Sequence, residues 1–133
     1  MLLIKTFLDC SNLHGIGLFA KQDLKAGTLV WEFNHLVDLK FTLKEWDSFK
    51  KRISLRSYEN LLKLSYKEDG FIYLCIDNAQ FMNHSLTCYN IGQHGALKSR
   101  MYAIKDILKG EELLCNYHAY SDPDDYHAKF LND

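Results

Sequence analysis

Apolar and polar positions along this chain change period several times, and each change marks an element. Between Gly15 and Phe33 a glycine-bracketed turn leads into Leu18-Phe19-Ala20, and Lys25-Ala26-Gly27 then turns the chain into Leu29-Val30-Trp31. Apolar runs this short, flanked by turn residues, predict two strands. At Thr42 the period lengthens. Trp46, Phe49 and Ile53 recur at helical spacing opposite Lys44, Lys50 and Lys51, which predicts an amphipathic helix with one core-facing side. Thr42 with Glu45 three residues later forms a capping box, and Phe41 is placed to staple against Trp46. Tyr58, Leu61, Leu62 and Leu64 allow a second short helix over Ser57 to Leu64.

Lys67 to Gly70 then reads as a turn. Phe71-Ile72-Tyr73-Leu74-Cys75-Ile76, apolar throughout and rich in β-formers, reads as a strand buried on both faces. Asn90 to Gly92 and Ala96 to Ile107, separated by Gln93-His94-Gly95, predict a hairpin, and Lys109-Gly110 turns into a last strand ending near Tyr117. The expected fold class is mainly β with short helices. With 133 residues, 47% of them hydrophobic, and no repeat or linker, a single domain over residues 1–133 is expected.

Composition narrows the setting. There is no signal-peptide pattern and no apolar stretch long enough to cross a bilayer, so an intracellular protein, cytoplasmic or nuclear, is expected. Cys10, Cys75, Cys88 and Cys115 lie far apart and form no CxxC pair; reduced thiols and no metal are expected. Charge is uneven along the chain. Residues 40–67 carry eight Lys/Arg against three acids, and residues 106–133 carry seven acids against two lysines. An acidic neighbourhood attracts a lysine-bearing peptide and a basic one can touch phosphate, although such clustering is ordinarily a solvated surface.

Three short stretches could carry chemistry. Gly15-Ile16-Gly17 lacks the third glycine and the strand-to-helix setting of a dinucleotide fingerprint, but glycine lets backbone approach a ligand closely. Asn83-His84-Ser85 follows Phe81-Met82 and offers three different hydrogen-bonding side chains, or else a turn closing a strand. Adjacent His84 and Ser85 cannot readily face each other, and no G-x-S-x-G elbow is present, which argues against a serine hydrolase. Tyr117 ends the run Leu113-Leu114-Cys115-Asn116, where a ring can be buried while its hydroxyl reaches a polar site.

In order, Gly-x-Gly-x-Phe-Ala, Phe-x-Asn-His-Ser and Ala103-x-x-Asp106-Ile107-x-x-Gly110-Glu111-Glu112-Leu113-x-x-x-Tyr117 resemble the successive motifs of SET-domain protein lysine methyltransferases, over Gly15 to Tyr117. The resemblance implies several small β-sheets, with the segment ending at Tyr117 threaded under a preceding loop beside Asn83-His84. It implies S-adenosyl-L-methionine as cofactor, leaving as S-adenosyl-L-homocysteine, and no metal. Backbone around Ile16 and Gly17 would contact the cofactor, Asn83 its amino-acid part and His84 its adenine, chiefly through backbone. Tyr117 would be the catalytic tyrosine. The substrate would be a lysine-bearing protein or peptide, a histone or another basic protein, with no membrane involved and nucleic acid not required.

Departures from the family pattern cluster around the lysine channel. Phe33-Asn34-His35 stands where Tyr-x-Gly is usual, so a channel hydroxyl is missing at Phe33, with Tyr73 or Tyr66 as replacements. Leu86-Thr87-Cys88-Tyr89-Asn90 lacks the usual proline and carries one inserted residue. Cys115 occupies the position, two before Tyr117, at which Phe or Tyr often influences how many methyls are added. Phe33, Tyr73 and Cys115 are therefore the expected channel residues. These 133 residues contain no cysteine-rich stretch of the kind that flanks many family members, so the tail, about residues 118–133, is expected to cover the site. Asp122-Pro123-Asp124-Asp125 would turn it back, and Tyr120, Tyr126 or Phe130 would stack on the cofactor's adenine or wall the lysine tunnel, unless Tyr126 and Phe130 simply pack as one helix face. A homodimer is another way to cover the channel. The helical insert, about residues 42–64, is expected to read the substrate. The expected activity is methyl transfer to a protein lysine; the alternative is a catalytically weak SET-like module that binds a peptide or partner.

Overall fold

The computed structural model describes residues 1–95 and 98–126. Its first unit is a ribbon of β1 (Thr6–Cys10) and β2 (Ile16–Ala20), antiparallel, with Thr6 opposite Ala20 and Cys10 opposite Ile16. Leu18 and Ala20 point into the core. β1 buries no residue completely, which is why the apolar pattern gives no sign of it.

The main sheet contains β3 (Leu29–Glu32), β7 (Asn83–His84), β8 (Ile91–Gly92), β9 (Arg100–Ala103) and β10 (Leu114–Cys115), in the order β3-β9-β8-β10-β7. β8 and β9 form the predicted hairpin, with strands shorter than the apolar run. β10 lies between two strands formed much earlier in the chain and parallel to both: Leu114 pairs with Asn83, Cys115 with His84, and Cys115 with Ile91. This is the threaded arrangement. Leu18, Val30, Ile91, Ile107 and Leu113 are fully buried where the ribbon meets this sheet, and Leu113 donates its N–H to Leu18 O at 2.7 Å.

A third sheet, in the order β4-β6-β5, comprises β4 (Asp38–Thr42), β5 (Ser65–Glu68) and β6 (Phe71–Cys75). Asp69 and Gly70 join β5 to β6 with φ of 50° and 76°, the left-handed pair that a two-residue hairpin turn requires. β6 is less uniformly covered than its composition suggests: Ile72 and Leu74 are buried, whereas Phe71 and Tyr73 are half-buried. Lys40 lies over the Phe71 ring at 4.0 Å, and Tyr66 stacks on Tyr73 at 5.2 Å.

Between β4 and β5 stand α1 (Leu43–Lys50) and α2 (Leu55–Leu64). The capping box is present: Thr42 Oγ1 accepts from Glu45 N–H at 3.2 Å and Glu45 Oε2 accepts from Thr42 N–H at 2.7 Å. Phe41 packs on Trp46 with ring centroids 5.2 Å apart. α1 stops before Ile53, and α2 begins two residues ahead of the expected start, with Ser54 Oγ accepting from Ser57 N–H. No described residue of α2 is fully buried. Among the described residues no helix is long and apolar enough to cross a membrane.

Candidate active site

The insertion of β10 brings the three sequence motifs together around one side chain, Asn83. Its Nδ2 donates to His14 O at 3.0 Å, Ile16 O at 3.1 Å and Glu112 Oε1 at 2.9 Å. Three oxygens on one side fix the amide orientation, so Oδ1 faces away from them and is left to accept. Gly17 makes this meeting possible. A Cβ there would stand 2.2 Å from Glu112 Oε1, so any side chain would displace the carboxylate that bonds Asn83. Glu112 Oε2 also accepts from Ser11 Oγ at 3.0 Å. The Glu112 carboxylate and the carbonyls of His14 and Ile16 thus gather around Asn83 Nδ2 beside the half-exposed Ile16, and Asn83 Oδ1 is presented on the other side, where it can accept from a ligand donor.

Behind Asn83, Asn90 holds the inserted strand. It is buried, with 4% exposed; its Oδ1 accepts from Leu114 N–H and its Nδ2 donates to Glu112 O, both at 2.8 Å. Ser85 N–H donates to Cys115 O, and Tyr117 N–H donates to His84 Nδ1, both at 3.0 Å. The backbone thus leaves β10 in a fixed direction, and Tyr117 begins a short 3-10 turn, Tyr117–Ala119. Its hydroxyl donates to Met82 O at 2.6 Å, just before the Asn-His pair. Burial pushes the Tyr117 phenol well above its ordinary value, so the hydroxyl keeps its proton across the neutral range.

Tyr117 opens onto a cavity of about 80 Å³. Tyr66, Tyr120, Met82, Cys75 and Cys115 are among its walls. The rings form a chain: Tyr117 and Tyr120 are 5.9 Å apart, Tyr120 and Tyr66 5.5 Å in edge contact. Burial also raises Tyr66, Tyr120, Cys75 and Cys115, so these four groups keep their protons at ordinary pH, while Lys63, Glu68 and Lys98 add charge elsewhere in the wall. The Cys115 thiol contacts Met82 Sδ at 2.8 Å.

Downstream of Tyr117 the chain is clasped to the β5–β6 turn. The Asp122 carboxylate accepts from Asp69 N–H and Gly70 N–H, both at 2.9 Å, and Asp122 N–H donates to Lys67 O at 2.7 Å. Asp125 accepts from Lys67 N–H at 3.0 Å, and Lys67 Nζ pairs with Asp124. The turn signalled by Asp122-Pro123-Asp124-Asp125 thus carries Tyr120 over the cavity.

Ile16, Gly17, Asn83, His84 and Tyr117 converge around β10. Cys115 lines the cavity, but Phe33 and Tyr73 do not: Tyr73 lies behind Tyr66, and Phe33 meets the edge of Tyr73 at 6.0 Å. Tyr66 supplies a wall where the sequence left it and Tyr73 as alternatives. Tyr126 lies at the end of the described tail, and Phe130 lies outside the described residues. Sequence reasoning gave no role to Glu112 beyond its motif, nor to Asn90 beyond an alignment, and it did not find Glu68, which also lines the cavity. The Glu112 signal was available in the spacing to Tyr117. For Glu68, no local pattern exists.

Comparison with known proteins finds 31% identity over 81 residues, 61% of this chain, to the cytotoxicity-associated immunodominant antigen of Helicobacter pylori. Histone-lysine N-methyltransferase 2B of Homo sapiens is 28% identical over 115 residues, 80% of this chain. The chain spans only 7% and 4% of those two relatives. Among solved structures, Polycomb Repressive Complex 2 of Chaetomium thermophilum, in an autoinhibited conformation bound to S-adenosylmethionine, shares the fold with a TM-score of 0.63 at 24% identity, over 94% of this chain and 16% of that one. The SET-domain family model matches residues 15–118, the same stretch that the inserted strand draws together, and the chain belongs to the SET-domain family.

Proposed function

We propose that this chain transfers methyl groups from S-adenosyl-L-methionine to the side-chain amine of lysine in a protein substrate, a histone or another basic protein. The observation that carries this reading is the position of Tyr117. Its ring lines the cavity, and its hydroxyl donates to the carbonyl of Met82, the residue immediately before Asn83. The similarity to a histone-lysine methyltransferase supports the substrate class.

The residues fit the cofactor. Asn83 Oδ1, held in place by the Glu112 carboxylate on Nδ2, would accept from its amino-acid part, backbone at Ile16 and Gly17 would lie along it, and His84 would face its adenine through backbone. Bound there, it supplies a methyl group activated by a sulfonium cation. The protein must supply a lysine amine with a free lone pair. With a reference pKa near 10.4, only about one lysine in 2,500 is neutral at pH 7, and deprotonation costs roughly 4–5 kcal/mol. The neutral rings and thiols on the Tyr117 side of the cavity lower a lysine pKa by desolvation. Tyr117 oxygen and Met82 O then offer acceptors that orient the amine hydrogens and aim the lone pair.

Tyr66 and Tyr120 place hydroxyl-bearing rings in the cavity wall although Phe33 carries none, which favours turnover over a weak binding module. Incubation with labelled S-adenosylmethionine and a panel of basic proteins tests the proposal. Label should appear on lysine and vanish without enzyme; cofactor binding with no transfer to any substrate would instead support the binding module.

A further inference from the structure

Among the described residues Glu68 is the one carboxylate in the cavity wall, and the chemistry at Tyr117 does not use it. It lies two residues beyond Tyr66 on β5, so the two side chains share a face, with about 7 Å between their backbone positions. Its charge acts on Tyr66 but is not among those acting on Tyr117. Glu68 therefore stands away from the methyl-accepting end.

Only 5% of Glu68 is exposed, yet among the described residues its carboxylate receives one hydrogen bond, from the neutral Gln93 Nε2 at 3.3 Å. A carboxylate has room for about four such bonds. The nearby cations are engaged elsewhere: Lys98 pairs with Asp69 at 2.7 Å, and Lys67 with Asp124. Asp69 and Asp122 act on Glu68 as like charges, Lys98 as the opposing one. Lys63, also in the cavity wall, is exposed on α2 and is not among the charges acting on it. A buried carboxylate with a surplus of negative neighbours is unfavourable unless a cation joins it.

We propose that Glu68 is a specificity-determining residue whose carboxylate receives the guanidinium or ammonium of a basic residue flanking the target lysine. The substrate class is then a lysine with a cationic neighbour in sequence. This deepens, and rests on, the lysine-methyltransferase reading. The neighbour remains charged against Glu68 while the target lysine gives up its proton beside Tyr117, so the two requirements do not compete.

The test uses single-lysine peptides that differ only in Arg or Ala beside the lysine, with wild type and Glu68→Gln, a change that keeps shape and the capacity to bond Gln93. For wild type the Arg peptide should show a KM about tenfold lower, with similar kcat. Glu68→Gln should erase that difference and leave the Ala peptide unchanged. Burial and the like charges of Asp69 and Asp122 raise the Glu68 pKa above its ordinary value. The wild-type preference should therefore be full above that raised value and fade as pH falls through it. Preference that survives in Glu68→Gln overturns the proposal, as does an equal loss on both peptides, which would put Glu68 on the target lysine itself or in packing. Peptide binding by fluorescence anisotropy, with S-adenosylhomocysteine present, reads the same difference without turnover. Absence of methyl transfer by wild type would thus defeat the activity and leave the Glu68 assignment to be judged by binding.

Discussion

The two sides of Tyr117 are built by different means. On the Asn83 side almost every contact is a directed hydrogen bond: three from Asn83 Nδ2, two through Asn90, and one from Tyr117 N–H to His84. On the Tyr66 side the contacts are ring faces, ring edges and sulfur. Directed bonds fix atoms to a narrow range of distance and angle, whereas apolar packing fixes chiefly a volume and tolerates exchange of similar shapes. The molecule therefore joins one wall that must be kept atom by atom to another that can be reshaped without undoing the first.

Four substitutions test that separation. The largest effect belongs at the junction. Tyr117→Phe should lower kcat about 10²–10³-fold, roughly 3–4 kcal/mol on the barrier, while cofactor affinity measured by calorimetry stays within about twofold. If both fall together, the two sides are not separable. Next is Asn90→Ala, which leaves Leu114 N–H and Glu112 O without their buried partner. Denaturant unfolding should show a loss of roughly 2–4 kcal/mol. Asp122→Ala removes two charge-assisted bonds to the β5–β6 turn and should cost roughly 2 kcal/mol. More tellingly, Cys115, only 2% exposed, should begin to react with a thiol reagent while cofactor affinity holds. A Cys115 that remains protected would show that the clasp does not close the Tyr66 side. The smallest effect is expected from Thr42→Ala, which removes the α1 cap for about 1 kcal/mol and should leave kcat of the folded protein unchanged.

The same contrast explains what the sequence disclosed. β2, β3, α1 and the β8–β9 hairpin follow from local periodicity and caps, which act over a few residues. Asn83, Gly17 and Tyr117 were legible because each lies in a short motif whose order along the chain carries information. β1 and β4 were not, since neither has an alternating buried pattern: β1 has no buried residue, and only Asp38 is buried in β4. The cavity was hardest to read. Tyr66 and Glu68 on β5, Cys75 on β6 and Tyr120 beyond β10 come from three separated stretches and meet only through sheet pairing and the clasp. Phe33 and Tyr73 were natural choices by position, yet Tyr66, stacked in front of Tyr73, fills the wall.

The insertion of β10 between β7 and β8 also bears on how the protein folds. A strand added at a sheet edge needs one partner, whereas β10 must find two at once, and Ser11 meets Glu112 across 101 positions of sequence. Contacts of such range carry the loop-closure entropy that slows folding, so this chain belongs with the slow folders of its size. Tyr117 follows directly on that strand. Reactive geometry would then arise only at the final closure, and partly folded forms, however much of the other sheets they contain, would be silent catalytically.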